Sequence, residues 1–183
     1  MPTLTVIAGP NGSGKSTITA STPIEGRERL LDPDAIARRM NPASPVAAAI
    51  AAGREVLTRT EEYLEQRASF AVETTLSSRS TLGLFQRARE AGYTTVLIFV
   101  ALDSPDRCIT RVRNRSASGG HSVPDADVRR RYDRSMSNLV DALPLVDYAR
   151  LFDNSAGVVR PVLIARAGVV VWRATPPPNW LPL

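Results

Sequence analysis

The chain of 183 residues carries 23 Lys and Arg against 18 Asp and Glu, a formal net charge of +5, and 43% of it is hydrophobic. That apolar fraction excludes an intrinsically disordered chain and suffices for the core of a domain of ordinary size. A lone cysteine, Cys108, and a lone histidine, His121, exclude an internal disulfide, a cysteine metal cage and a multi-histidine metal site within one chain.

Residues 3–8 (TLTVIA) predict a buried strand running into a glycine-rich turn, and a helix begins at Lys15. Residues 29–31 predict a second, short strand. Asp32-Pro33-Asp34 has the form of a helix start, with Asp32 as the cap and Pro33 at the first helical position. Ser44-Pro45 repeats that signal before a longer helix, in which Val46, Ile50, Gly53, Leu57, Thr60 and Leu64 mark one face. Residues 69–73 (SFAVE) predict a third strand ending on a carboxylate, and residues 81–91 a helix stopped by Gly92. Residues 94–102 (TTVLIFVAL) are nearly all apolar, as in a central strand covered on both faces. Ser104-Pro105-Asp106 opens another helix, 118–121 (SGGH) is a flexible break, and Pro124-Asp125 opens the next helix, to about residue 139. Residues 148–152 predict a fifth strand. Residues 162–167 and 169–172 predict an edge hairpin around Gly168, and Pro176-Pro177-Pro178 suits neither helix nor central strand.

This alternation predicts an α/β fold of P-loop NTPase or kinase type, with a central, mostly parallel sheet flanked by helices. With no repeat and no linker, residues 1–183 read as a single domain, with a lid at about 107–134 and a C-terminal hairpin and proline-rich tail at about 160–183. No charged leader or signal pattern is present. The longest apolar run, residues 96–102, is far too short to span a bilayer, so a cytoplasmic protein without membrane contact is expected.

Gly9-Pro10-Asn11-Gly12-Ser13-Gly14-Lys15-Ser16 fits the pattern G-x-x-x-x-G-K-[ST] at every constrained position, with a strand before it and a helix after it. Glycines let such a loop turn its amides inward on phosphate oxygens, and the following helix start adds partial positive charge. Lys15 is then the residue that reaches the β- and γ-phosphates, and Ser16 the hydroxyl that faces Mg²⁺. Residues 9–17, Thr17 included, are expected to hold a nucleoside triphosphate, with ATP and Mg²⁺ as the cofactors.

A loop of this kind does not name a reaction. Phosphoryl transfer also needs a carboxylate for the acceptor hydroxyl and cations for the phosphoryl group in flight. Asp34 follows the second strand at the sheet edge where ligands bind in such folds, and is favoured as the catalytic base over a plain helix-end charge. Glu73, followed by Thr74 and Thr75, ends a buried strand at the same edge. Eight of the 22 arginines fall between Arg107 and Arg134, on two helices flanking the break, as in a lid over phosphates. Arg111 and Arg131 are the first choices to touch the phosphoryl group. Few aromatics interleave with this cluster, so nucleic acid is not the favoured partner. His121 is read as a loop residue satisfied by backbone rather than a phosphate donor, and Cys108 as buried and inert. Asn154-Ser155 follows the fifth strand, where adenine-contacting loops lie by analogy.

Four blocks together resemble the zeta toxin family of P-loop kinases: residues 9–17, Leu31-Asp32-Pro33-Asp34, Val72-Glu73-Thr74-Thr75-Leu76, and the arginine-rich stretch before Asn138-Leu139. The resemblance implies an ATP- and Mg²⁺-dependent phosphotransferase acting on a hydroxyl of a small molecule. In the best-known members that is the sugar 3′-hydroxyl of UDP-N-acetylglucosamine, and a small antitoxin blocks the ATP site. It implies Lys15 and Ser16 on phosphate and Mg²⁺, Asp34 as general base, Glu73 and Thr75 on the sugar substrate, and Arg111 as a lid arginine. Ser77 stands where those toxins carry an arginine, and His121 where they carry a second lid arginine. Two other readings stay open: a nucleoside or polynucleotide 5′-hydroxyl kinase, and a nucleotide-dependent switch or binding protein with little transfer activity.

Overall fold

The computed structural model describes residues 1–117 and 123–181. Strands β1 (Thr3–Ala8), β2 (Leu30–Leu31), β3 (Phe70–Thr74), β4 (Thr94–Ala101), β5 (Tyr148–Asp153), β6 (Arg160–Arg166) and β7 (Val169–Arg173) form one sheet in the order β2-β3-β1-β4-β5-β6-β7. The pairs from β2 to β5 are parallel, and β6 and β7 close the sheet as an antiparallel hairpin. Helices α1 (Lys15–Ser21), α2 (Pro33–Met40), α3 (Pro45–Glu65), α4 (Ser80–Glu90), α5 (Pro105–Ala117) and α6 (Asp125–Ala142) flank it. The fold is thus the expected α/β arrangement of a P-loop protein, a mostly parallel sheet between helices.

Every residue of β1 is buried, because β1 lies between β3 and β4 with helices on both faces. The main core fills one face of the sheet, where Phe70, Phe99 and Leu151 meet Phe85 of α4 and Leu139 of α6. A smaller core under α5 and α6 holds Cys108, Val112, Val128 and Tyr132. On the other face Ile18 of α1 packs on Ile98 and Val100.

Local signals are met in several places. The Asp32 carboxylate accepts the Asp34 amide at 2.9 Å, and Pro33 opens α2. Ala167 and Gly168, with φ of 48° and 78°, turn the hairpin. Arg29 belongs to a 3₁₀ turn, Arg27–Arg29, that leads into β2. The strand expected to end on Glu73 runs one residue further, to Thr74.

Two expectations for α3 need correction. Pro45 does open the helix, but the Ser44 side chain makes no cap; its amide donates instead to Asn41 Oδ1 at 2.9 Å. The face chosen by periodicity splits: Val46, Ile50 and Leu57 are 65%, 74% and 58% exposed, whereas Thr60 is buried and Leu64 packs on the main core. In the first half of the helix the buried face is instead Ala48 and Ala52, packed on Ile36 and Ala37 of α2. Two positions along a helix turn the side chain by about 200°. Close approach of two helices selects the stripe of small residues, so the larger apolar residues face out.

The ends of β1, β2, β3, β4 and β5 all open on one edge of the sheet, where their loops converge.

Candidate active site

The glycine-rich loop sits tightly on this edge. At Gly9, with φ of 140°, a Cβ would run into the backbone carbonyl of Val100 on β4. At Gly14, with φ of 102°, it would run into the side-chain amide of Asn154. The loop therefore keeps its shape only with glycine at both positions. The Ser13 amide donates to the Pro10 carbonyl at 3.2 Å and closes the turn. Ser13 is fully buried, and its hydroxyl has no hydrogen-bond partner among the described residues.

Lys15 curls back over this loop. Its ammonium donates to the Gly9 carbonyl at 3.0 Å and the Pro10 carbonyl at 3.3 Å. Burial pushes its pKa below the ordinary lysine range, while Glu73 and Asp34 pull it part of the way back. Ser16 and Thr17 follow on α1, exposed toward the open side.

A cleft of about 380 Å³ lies over the loop, walled by Lys15, Ser16, Asp34, Glu73, Arg111 and Arg115. A second chamber of about 300 Å³ adjoins it and adds Thr74, Thr75, Ser77 and Arg131. Asn11, Lys15, Asp32, Asp34 and Glu73 line both. Three carboxylates thus face the single lysine. Asp34 is exposed, one residue into α2, while Asp32 is occupied in capping and lies 3.9 Å from Arg38. Glu73 is half-buried at the end of β3. Burial raises its pKa above the ordinary glutamate range, with Lys15 opposing.

Beyond Thr74 the chain makes a tight turn in which Leu76, a buried residue, has φ of 57°. Asn138 of α6 holds this turn by donating to the Leu76 carbonyl at 2.8 Å, and Thr74 Oγ1 accepts the Leu76 amide at 3.1 Å. The turn brings Thr75 and Ser77 to the second chamber, their hydroxyls 2.8 Å apart in one hydrogen bond. A leucine held in the left-handed region is strain stored at a site.

The arginines separate by partner. Arg107, Arg113, Arg129 and Arg130 are tied in surface pairs to Asp103, Asp125, Asp106 and Asp127. Arg111 reaches the cleft while donating to the Asn154 carbonyl at 2.8 Å, and Arg131 lies 3.5 Å from Asn11 Oδ1 in the second chamber. Arg38, which the sequence did not mark, and Arg115, marked only as one of the eight arginines between 107 and 134, also line the cleft. Helical spacing was the available signal: Arg38 stands four residues after Asp34, and Arg115 four after Arg111, so each shares its face.

Asn154 directly follows β5, as expected, and its side chain turns to the glycine-rich loop. It is 6% exposed, and its amide donates to the Ser13 carbonyl at 2.8 Å. It buttresses the loop from behind, because β5 ends directly beneath it. Cys108 is buried, and burial pushes its thiol up to about 12, as expected of an inert cysteine. His121 and the break at 118–121 lie outside the described residues. Among the described residues no helix is long and apolar enough to cross a membrane.

Residues 4–138 match the model of the AAA_33 family, described as an AAA domain. An uncharacterized protein of Haemophilus influenzae is 32% identical over 124 residues, which cover 68% of this chain and 88% of that protein. The structure of AvrRxo1-ORF1:AvrRxo1-ORF2 with sulphate ions superposes with a TM-score of 0.71 at 19% identity, over 93% of this chain and 60% of that chain. The AvrRxo1-ORF1:-ORF2 structure with ATP also gives 0.71, at 17% identity over the same shares. A structure of the PezAT chromosomal toxin-antitoxin system of Streptococcus pneumoniae gives 0.62, at 14% identity over 92% of this chain and 75% of that one. The chain spans about 60% of the length of the AvrRxo1 chains it matches, and at these identities the likeness is one of fold. The family match takes in the glycine-rich loop and every residue that walls the two chambers, and the chain belongs to the AAA_33 family of AAA domains.

Proposed function

We propose that this protein is an ATP- and Mg²⁺-dependent phosphotransferase of zeta-toxin type, which moves the γ-phosphate to a hydroxyl of a small molecule. One observation carries the reading: the cleft over the glycine-rich loop opens into a second chamber, and Asp34 and Glu73 line both. A nucleotide switch needs one chamber; a transferase needs a donor and an acceptor side by side, with a carboxylate at the boundary.

In this reading residues 9–17 hold the triphosphate, and Lys15 exchanges its contacts to Gly9 and Pro10 for phosphate oxygens. Asp34 takes the proton of the acceptor hydroxyl. The acceptor oxygen then bonds to the γ-phosphorus as the bond to the β–γ bridging oxygen breaks, and ADP leaves. Glu73, Thr75 and Ser77 orient the acceptor. Arg111, Arg115 and Arg131, from the two helices of a lid at about 107–134, meet the charge on the phosphoryl group. Oxygen donors at the cleft suit Mg²⁺, which Ser16 would hold. Mg²⁺ at a nucleotide usually takes its other ligands from phosphate oxygens and water. Bound there, the ion supplies neutralisation of the phosphate charge. A nucleotide sugar such as a UDP-N-acetyl sugar is the first acceptor to test. A small antitoxin-like protein over the ATP site, a cytoplasmic location and one domain over residues 1–183 belong to the same proposal.

The test is a mass measurement. The protein is incubated with ATP, Mg²⁺ and a pool of UDP-sugars, nucleosides and oligonucleotides, and products heavier by one phosphate are sought. Lys15→Ala should abolish transfer, and Asp34→Asn should lower it by about 10²–10⁴-fold. A product on an oligonucleotide 5′-end would transfer the assignment to the polynucleotide kinase alternative. ATP hydrolysis with no phosphorylated acceptor would favour the switch.

A further inference from the structure

Parallel sheets in α/β folds are covered by helices on both faces. Among the described residues one face of β4, β5 and β6 is covered in part, by Ile18 and Ile24 against Ile98, Val100 and Phe152. Alongside this cover runs an open groove of about 390 Å³, lined by Val96, Ile98, Phe152 and Ile164, with residues 22–25 as one wall. The strand registers place Val96 beside Tyr148 and Arg166, and Ile98 beside Arg150 and Ile164, so apolar and basic residues share this one face. On the hairpin, Trp172 lies opposite Ile164 and is 44% exposed. β5 to β7 lie beyond the stretch that the family model matches.

We infer that this groove docks an amphipathic helix of a partner protein, one with an apolar stripe flanked by carboxylates. Dimensions, charge and aromatic placement point to that occupant. Three neighbouring strands span about 10 Å, the width of one helix with its side chains. The six residues of β5 extend about 20 Å, the length of roughly four helical turns. Arg150 and Arg166 stand on this face with no carboxylate partner among the described residues, in a chain where most other cleft-remote arginines of the lid helices are paired. Arg166 lies over the Tyr148 ring at 6.0 Å, which holds its charge at the groove rim. Glu25, the acid in the lining, accepts the Ser69 hydroxyl at 3.0 Å and leaves both arginines unmatched. A second copy of the chain would set these arginines against their own kind, so the charges select an acidic partner over self-association. The inference is independent of the phosphotransferase reading.

The test uses a labelled peptide of about 16 residues with leucines on one helical face and glutamates on both flanks. Controls are a version with lysine in place of glutamate and one of scrambled order. Saturable binding of the acidic peptide is expected, with methyl NMR shifts at Ile98 and Ile164 and none at Ile36. Arg150→Glu with Arg166→Glu, both exposed positions, should weaken it by about tenfold or more and confer binding of the lysine version. ATP affinity and melting temperature should stay unchanged in that variant. Equal binding of the scrambled or lysine peptide to the wild type would overturn the proposal, as would binding unaffected by the charge reversal. So would a dimer in sedimentation that the reversal dissociates, or arginine-dependent binding to phosphatidylglycerol vesicles in place of the peptide.

Discussion

Asn154→Ala separates the buttress seen here from an adenine contact. The Asn154 amide, buried at 6% exposure, donates to the Ser13 carbonyl at 2.8 Å across 141 residues of sequence. Truncation to alanine strands that carbonyl, at a cost of about 1–3 kcal/mol, and opens a void behind Gly14. The backbone carbonyl that accepts from Arg111 is untouched. For a domain of this size each kcal/mol lowers the melting point by about 2–4 °C, so about 2 kcal/mol corresponds to a fall of about 4–8 °C in calorimetry. The loop that should cradle phosphates slackens, so ATP and GTP affinities, measured by titration calorimetry, should fall together. A second arm uses Gly14→Ala, whose added methyl meets the same amide. The double variant should be less destabilised than the sum of the two, since removing the amide removes the clash, although the φ of 102° at position 14 keeps part of the strain. An unchanged melting point together with a selective loss of ATP over GTP would show that Asn154 reads the base, and the buttress would be wrong.

The other expectations concern charge. Arg115→Ala and Arg131→Ala should slow phosphoryl transfer by about 10²-fold or more, whereas Arg113→Ala and Arg129→Ala, which break exposed pairs worth about 0–1 kcal/mol, should leave it within about twofold; equal losses in both sets would dissolve the distinction. Burial holds the Glu73 carboxyl above its ordinary range, so its contribution to stability is fully present below the unfolded value and is lost as pH rises through the folded one. Melting curves of Glu73→Gln should therefore gain on the wild type with rising pH across that window, and a constant offset would contradict the shift. Asp153 behaves in the opposite sense. Burial pushes its carboxyl up, but hydrogen bonds from Ser155 at 2.5 Å, Trp180 at 3.1 Å and Arg160 at 3.3 Å outweigh that and hold it below the usual range. Its stabilisation is present above the unfolded value and lost as pH falls through the folded one. Trp180→Phe should cost about 1.5–3 kcal/mol near neutral pH and progressively less in acid; a pH-independent cost would place the effect in the packing of Trp180 on Phe99.

What could be read from sequence was what short stretches determine among themselves. Residues 9–16 declare a phosphate-binding loop because glycines at Gly9 and Gly14 answer steric demands made within a few residues. Asp32-Pro33 declares a helix start because the cap bonds its own near neighbour, and the apolar run at 94–102 declares a central strand because it needs cover on both faces. The first half of the α3 face was misread because the stripe that packs there is chosen by α2, whose Ile36 and Ala37 lie against Ala48 and Ala52. Sequence picked out Arg111 and Arg131 but could not tell Arg115 from its neighbours; only tertiary structure set Arg113 and Arg129 against carboxylates and Arg111, Arg115 and Arg131 around the chambers. The contact of Asn154 with the Ser13 carbonyl, 141 residues away, likewise exists only in the folded chain. The single lysine stood out in sequence as the candidate to reach phosphate; that burial lowers its pKa while Glu73, Asp34 and Asp32 restore part of it needed β3 and α2 in place. Steric rules act between neighbours in the chain, whereas burial and Coulomb forces act between neighbours in space, and the second set of neighbours exists only once the sheet has assembled.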